Sequence, residues 1–497
     1  MFCCQFKEIV PSSKTIAIGL SFVGLLVGAG FATGQEVVQY FTSYGAGGIA
    51  GIIIAGATMA LAGTVFLQLG SYYNASAHSD VFREVTHPLV SRFLDVCVIF
   101  TLFSIGLVML AGAGSNLEQQ FGLPTWVGAA LMLGLVLVSG MLDVDKVSRV
   151  IGSITPLIIV AVVFMGVYTA LNMPADWREA VAIAGEQPSP IGHWLVGALN
   201  YSGLALILAV SMCLVIGGDH INPREAGRGG LLGGIAYAIL LFTAGFILMM
   251  NSANVADTDI PMLTLVNSIN PYLGLAMAII IYLMIFNTAV GMFYALGKRL
   301  TVNRTEWYRP VFIAVSLAGF GFSFVGFREL MASVYPILGY LGIVMVVVLV
   351  VAWLRSLSQI KDESVRRDRL RALLMLKLHP DKEYDEALDK VIGQHVVDSN
   401  VDNADLYEEI VGDVVSELDS DKAVDFAPDD YDADEDQVTA YTDLEGVEEG
   451  RSPEEMAAYI EQANAELETA KQKDSEHPQG KEENTEGERQ AGASATK

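Results

Sequence analysis

One carboxylate in this chain stands where carboxylates are costly. Glu36 follows Gly28-Ala29-Gly30-Phe31-Ala32-Thr33-Gly34-Gln35 and precedes Val37, Val38, Tyr40 and Phe41, within an apolar run that begins near Thr15. A charge at the centre of a bilayer costs about 2.5–3.5 kcal/mol or more. Glycine weakens a helix by about 1 kcal/mol relative to alanine, and Gly28, Gly30 and Gly34 fall close together here. A lipid-facing span must satisfy all its backbone polar groups internally. Both features therefore fit a helix that unwinds at 28–36 and lines a wet, protein-enclosed cavity. Its broken ends would offer N–H groups to an anion and C=O groups to a cation. Glu36 then reads either as a coupling site, protonated in turn or neutralising a cation, or as a carboxylate that holds the break in shape. Thr33 and Gln35 either coordinate or cap the second half-helix.

Two other polar clusters interrupt apolar runs. Asn200-Tyr201-Ser202-Gly203 suggests a second unwound point, although Asn and Ser also glue packed helices together. Asn287-Thr288 could join carbonyls of the first break, at Ala29, in an oxygen site for Na⁺, or could simply bond between helices. No mid-span lysine replaces such a cation, which favours Na⁺ over H⁺, with Glu36 as the counter-argument. Phe103, Tyr201, Tyr335 and Tyr340 could close over a solute or pack. Arg92 and Asp95 read as an interfacial pair.

Enzyme chemistry finds no support. The histidines form no ligand cluster, Cys3, Cys4, Cys97 and Cys213 lack metal-ligand spacing, and no nucleotide loop, nucleophile elbow or zinc motif occurs. No cofactor is expected beyond a coupling Na⁺ or H⁺, and no basic domain calls for nucleic acid.

The elements that must position these residues are membrane spans. The chain has 497 residues, 52% of them hydrophobic, and a mean hydropathy of +0.44. The apolar residues come in blocks of about 20. Ten are expected: 15–42, 46–70, 89–113, 124–141, 147–171, 192–217, 229–250, 272–297, 309–325 and 330–354. With the N-terminus in the cytoplasm, Lys and Arg gather on the cytoplasmic side. Only Arg178 and Arg328 fall outside. Five spans per half make the second half insert upside down, and such inverted repeats hold their solute at mid-bilayer. The outer loop 251–271 carries an apolar stretch, Met262 to Ile269, able to form a small capping helix. No cleavable signal is read in residues 1–14, so the first span is retained.

The net charge of −26 belongs almost wholly to residues 356–497. Residues 356–400 contain a basic amphipathic helix, Asp362 to Leu378, suited to anionic lipid. Residues 401–497 are acidic, with few aromatics, and read as largely disordered. A local helix is expected at Ser452-Pro453-Glu454-Glu455. The partner of this tail is left open.

Val27 to Glu36, continued by Val37-Val38-Gln39-Tyr40-Phe41, resembles the opening of the YkvI-like bacterial membrane proteins, grouped with the amino acid–polyamine–organocation superfamily. The resemblance covers about residues 15–355. It implies an all-α, LeuT-type fold of ten helices in a 5+5 inverted repeat, with helices 1 and 6 broken. It would put a substrate carboxylate on the backbone of Gly28, Gly30 and Gly34, with Phe31 beside them, and would line the facing wall with Asn200, Tyr201, Ser202 and Gly203. An Na⁺ site would join the first break to Thr288. Glu36 directly after the break and Asn287 before Thr288 depart from the best-known relatives, and the acidic tail has no counterpart in them.

These readings make the chain a cation-coupled symporter of a small solute, an amino acid first. The rival is a receptor that keeps a transporter core and signals through its acidic tail. A channel is disfavoured, since no ring of charge or filter-like repeat occurs.

Overall fold

The computed structural model describes residues 12–76, 81–83, 88–141, 155–256, 258–302, 304–421, 424–426, 441 and 444. No strand occurs among them. The chain divides into two compact units, Met1–Ser364 and Val365–Lys497.

The first unit is built of apolar helices whose ends follow local chemistry. The first span is split into α1 (Ser13–Leu26), α2 (Ala29–Thr33) and α3 (Gln35–Tyr40). Ser12 caps α1 by accepting from Thr15 N. Then come α4 (Ala46–Tyr72), α5 (Pro88–Phe121), α6 (Thr125–Gly140), α7 (Thr155–Leu171) and α8 (Trp177–Gly185). The second half comprises α9 (Trp194–Gly218), α10 (Pro223–Met250), α11 (Ser252–Val255), α12 (Pro261–Ile269), α13 (Pro271–Leu300), α14 (Tyr308–Ser323) and α15 (Phe327–Leu378). Asn-Pro pairs start both α10 and α13. Asn222 and Asn270 accept from the first-turn N–H groups, while the proline fills a position that needs no donor. Among the described residues α4, α5, α9, α10, α13 and α15 are long and apolar enough to cross a membrane, and α1, α6 and α7 are shorter apolar helices.

These helices sort into two packed groups. In one, α4 lies against α9 and α10, and α1 against α9 and α10. In the other, α5 lies against α6, α13 and α14. Small residues let backbones meet where lipid gives no hydrophobic drive. A Cβ at Gly230 of α10 would stand 2.3 Å from the Gly63 carbonyl carbon of α4. The short helix expected in the loop after α10 is α12, and it packs on α2 and α13. Gln119 of α5 secures it: Nε2 donates to Ile260 O at 3.0 Å and to Thr264 Oγ1 at 2.9 Å, and Oε1 accepts from Ile260 N.

In the first unit three expectations need correction. The sixth span is not broken, because α9 runs uninterrupted through Asn200-Tyr201-Ser202-Gly203. Its small and polar residues serve packing instead. Asp95 takes its hydrogen bond from Arg299 of α13, which places that pair between two helices rather than beside Arg92. The tenth span does not end near residue 354. It continues as one 52-residue helix to Leu378, since neither glycine nor proline occurs between Gly342 and Leu378.

The second unit contains residues 365–378 of α15, then α16 (Asp389–Val397) and α17 (Asn403–Ser420). Here the expectation of disorder from 401 onward is overturned for residues 403–420. Asp402 caps α17, and Leu406, Tyr407, Ile410, Val411, Val414 and Leu418 form its buried stripe. The basic stretch is covered by protein: Leu370 and Leu374 are buried, and Arg367 is 1% exposed, donating to Asn400 Oδ1 at 3.0 Å. Arg371 pairs with Glu417. Lys377 and Tyr384 both donate to Asp389, and burial together with that hydrogen bond holds the Tyr384 phenol well above its usual range. The helix expected at 452–455 lies outside the described residues.

Candidate functional site

Glycine chemistry makes the break. Helix α1 ends at Leu26, and Gly28 is extended, with φ −94° and ψ −177°. Five helical residues follow before Gly34, whose φ of +80° is cheap only without a Cβ. The Thr33 hydroxyl donates to Gly30 O at 2.7 Å and accepts from Gln35 N at 3.3 Å. That side chain thus joins α2 to α3. At 1.5 Å per residue α1 rises about 21 Å, less than the hydrocarbon core of about 30 Å.

A cavity of about 50 Å³ opens beside it. Span one contributes Leu25, Leu26, Gly28, Ala29, Gly30 and Glu36. The facing walls are Ile105 and Met109 of α5, Leu204, Ala205 and Leu208 of α9, Thr288 of α13 and Tyr335 of α15. The Glu36 side chain folds back over Gly30, where a Cβ would stand 1.6 Å from Glu36 Oε1. A side chain at position 30 would therefore displace the end of the Glu36 side chain from this place. Thr288 turns its hydroxyl to Met284 O in its own helix, at 3.0 Å.

Of the sequence-derived residues, Gly28, Ala29, Gly30, Glu36 and Thr288 meet around one cavity. Asn287 does not line it, since the helical turn points it away from Thr288. Phe31 is buried 5.7 Å from the Tyr237 ring, and Gly34 lies under Leu248 and the Met262 backbone of α12. The four residues 200–203 work elsewhere. Asn200 Nδ2 donates to Pro336 O of α15 at 2.8 Å, the Tyr201 and Tyr237 hydroxyls share a buried hydrogen bond of 2.5 Å, and Ser202 bonds to Ala198 O. At Gly203 a Cβ would meet Gly339 O at 2.2 Å. Tyr340 is 49% exposed and Phe103 packs on Phe322, so neither closes the cavity. Span six contributes Leu204, Ala205 and Leu208 instead. Apolar wall residues like these carry no signal in a sequence where every span is apolar.

No family model matches the chain. The membrane protein YkvI of Bacillus subtilis (strain 168) is 27% identical over 340 residues, which cover 67% of this chain and 95% of YkvI. YyaD of the same organism is 23% identical over 332 residues, covering 66% of this chain and 94% of YyaD. Similar solved structures include MhsT in complex with L-phenylalanine (TM-score 0.48, 15% identity, 69% of this chain and 99% of that one). Another is Mhp1 in its inward-facing conformation (TM-score 0.45, 12% identity, 67% and 74%). The match takes in nearly all of YkvI and leaves about a third of this chain unmatched. The chain is thus similar to the YkvI-like bacterial membrane proteins.

Proposed function

We propose that this protein is a cation-coupled secondary transporter of a small amino-group-bearing solute, amino acids being the first class to test. The observation that carries the reading is the interrupted first span opening on a buried cavity, with Glu36 on one wall and Thr288 on another. An uninterrupted lipid-facing span would have no use for either feature. The coupling cation is H⁺ or Na⁺, held by Glu36 or between Ala29 and Thr288.

The packing supports a ten-span, five-plus-five architecture. Exchanging α1 with α9, α4 with α10, α5 with α13 and α6 with α14 leaves the neighbour pattern unchanged. The contact of α1 with α10 maps onto that of α9 with α4, α5–α6 onto α13–α14, and α5–α14 onto α13–α6. Trp353 of α15 bonding to Gln68 of α4 answers the contact of α7 with α10. Alternating access then means rocking α1, α4, α9 and α10 against the other group, about a site between them. Both termini face the cytoplasm on the distribution of Lys and Arg.

Uptake into proteoliposomes containing the full chain tests this. An imposed Na⁺ or pH gradient is expected to drive accumulation of a labelled amino acid mixture, and Glu36→Gln to abolish it while protein yield is kept. Accumulation indifferent to both gradients, or unchanged by the substitution, would remove the reading.

A further inference from the structure

A second and larger cavity lies away from the break, where three helices end. Its volume is about 240 Å³. Met165, Tyr168, Thr169 and Asn172 line it from the C-terminal end of α7, and Leu265, Ser268 and Ile269 from that of α12. Asn251, which caps the end of α10, and Asn254 of α11 complete the wall. The last carbonyls of a helix carry a partial negative charge. No basic residue occupies the last turn of α7, α10 or α12, and no lysine, arginine or histidine is among the lining residues. Helix α13 starts just after α12 but lends no residue to the wall.

The side chains add to this excess of acceptors. Asn172 Nδ2 donates to Tyr168 O and Asn251 Nδ2 to Ile247 O, both at 2.9 Å. The Ser268 hydroxyl donates to Leu265 O at 2.7 Å. Each spends a donor on its own helix and leaves an oxygen for an occupant. Thr169 points to one directly. It is 3% exposed, yet among the described residues its Oγ1 has no hydrogen-bond partner. A buried hydroxyl without a partner is costly, and an occupant that meets it recovers the loss.

The wall asks for an occupant that is positively charged and rich in donors. A bare divalent ion does not suit it, because no carboxylate lines the cavity and direct ligation would trade water for neutral oxygens alone. An ion that keeps its water presents O–H donors outward on every side. Mg²⁺ sheds water reluctantly and holds its ligands in an octahedron. With six waters of about 30 Å³ each, such an ion fills about 180 Å³, which the cavity admits.

We propose that this cavity binds a hydrated divalent cation of the Mg²⁺ type, held through its water shell by Thr169, Asn172, Asn251 and Ser268. The ion ties the end of α7 to α12, the short helix that packs on α2. The site is separate from the cavity at Glu36 and stands whether or not the chain is a carrier.

The test follows thermal unfolding of the purified full chain, with Na⁺ in large excess, as Mg²⁺ or hexaamminecobalt(III) is added. The cobalt complex has about the size of hydrated Mg²⁺, presents N–H donors outward and does not exchange its ligands. Both are expected to raise the melting temperature saturably. The acidic tail also collects such ions, so the assignment to the cavity falls to the variants. Thr169→Val keeps the shape of the side chain and breaks no hydrogen bond among the described residues, so the fold is kept. It is expected to weaken binding of both probes about threefold, and its combination with Asn172→Ala more than about tenfold. Thr169→Val decides alone should the pair fail to fold. Stabilisation by Mg²⁺ without stabilisation by the cobalt complex overturns the inference, since it requires direct ligation. Equal stabilisation of the wild type and the variants assigns the ions to the tail and overturns it as well, as does silence from both probes.

Discussion

Asn200 and Glu36 are both polar residues in apolar spans, yet the structure gives them opposite work. Glu36 faces the cavity, whereas Asn200 ties α9 to the Pro336 carbonyl of α15. Replacing Asn200 by alanine is therefore expected to cost about 0.6–1 kcal/mol of stability and to leave solute affinity within about twofold. Unfolding in detergent and ligand titration measure the two effects separately, and a loss of affinity at full stability would return Asn200 to the site. The break at 28–36 was legible in the sequence because glycines and a carboxylate have few other reasons to interrupt a span. The second break expected at 200–203 is absent because the same residue types also serve packing: Gly203 admits the α15 backbone and Tyr201 bonds to Tyr237. Leu204, Leu208 and Met109 could not have been found, since a leucine facing a cavity and one facing a neighbouring helix look alike in one dimension.

At the scale of elements, close backbone approach sets the two helix groups. Gly230→Val would push a branched side chain into Gly63, and overpacking of that kind costs about 1–3 kcal/mol. Gly134 of α6 meets nothing within 4 Å, so Gly134→Ala is expected to gain up to about 1 kcal/mol from helix propensity alone. Melting temperatures of the pair should move in opposite directions. Apolar block length located the helices well. Where they end was less readable. Helix α15 passes its expected end at residue 354 because its stripe continues through Leu370 and Leu374, and an abundance of charge does not stop a helix. In the tail, the acidic average hid the stripe of α17, whose six apolar residues recur at helical spacing among aspartates and glutamates.

For the molecule as a whole, carrier and receptor differ in what the tail must do. Unit two keeps its own buried residues, among them Arg367, Tyr407 and the α17 stripe. A truncation must spare these to be informative, so residues 445–497 are the ones to remove. A carrier is expected to keep its uptake rate within about twofold, whereas a receptor loses its output. Uptake in proteoliposomes beside a cellular readout of signalling distinguishes them.

The five residues of α2 hang between two glycines, Gly28 extended at one end and Gly34 left-handed at the other, with Thr33 bonding the segment to itself and to α3. A piece that short can swivel without unravelling what precedes or follows it. For a carrier of the kind proposed, opening the path on either face of the membrane would ask for the swing of little more than one helical turn, pivoting at two glycines.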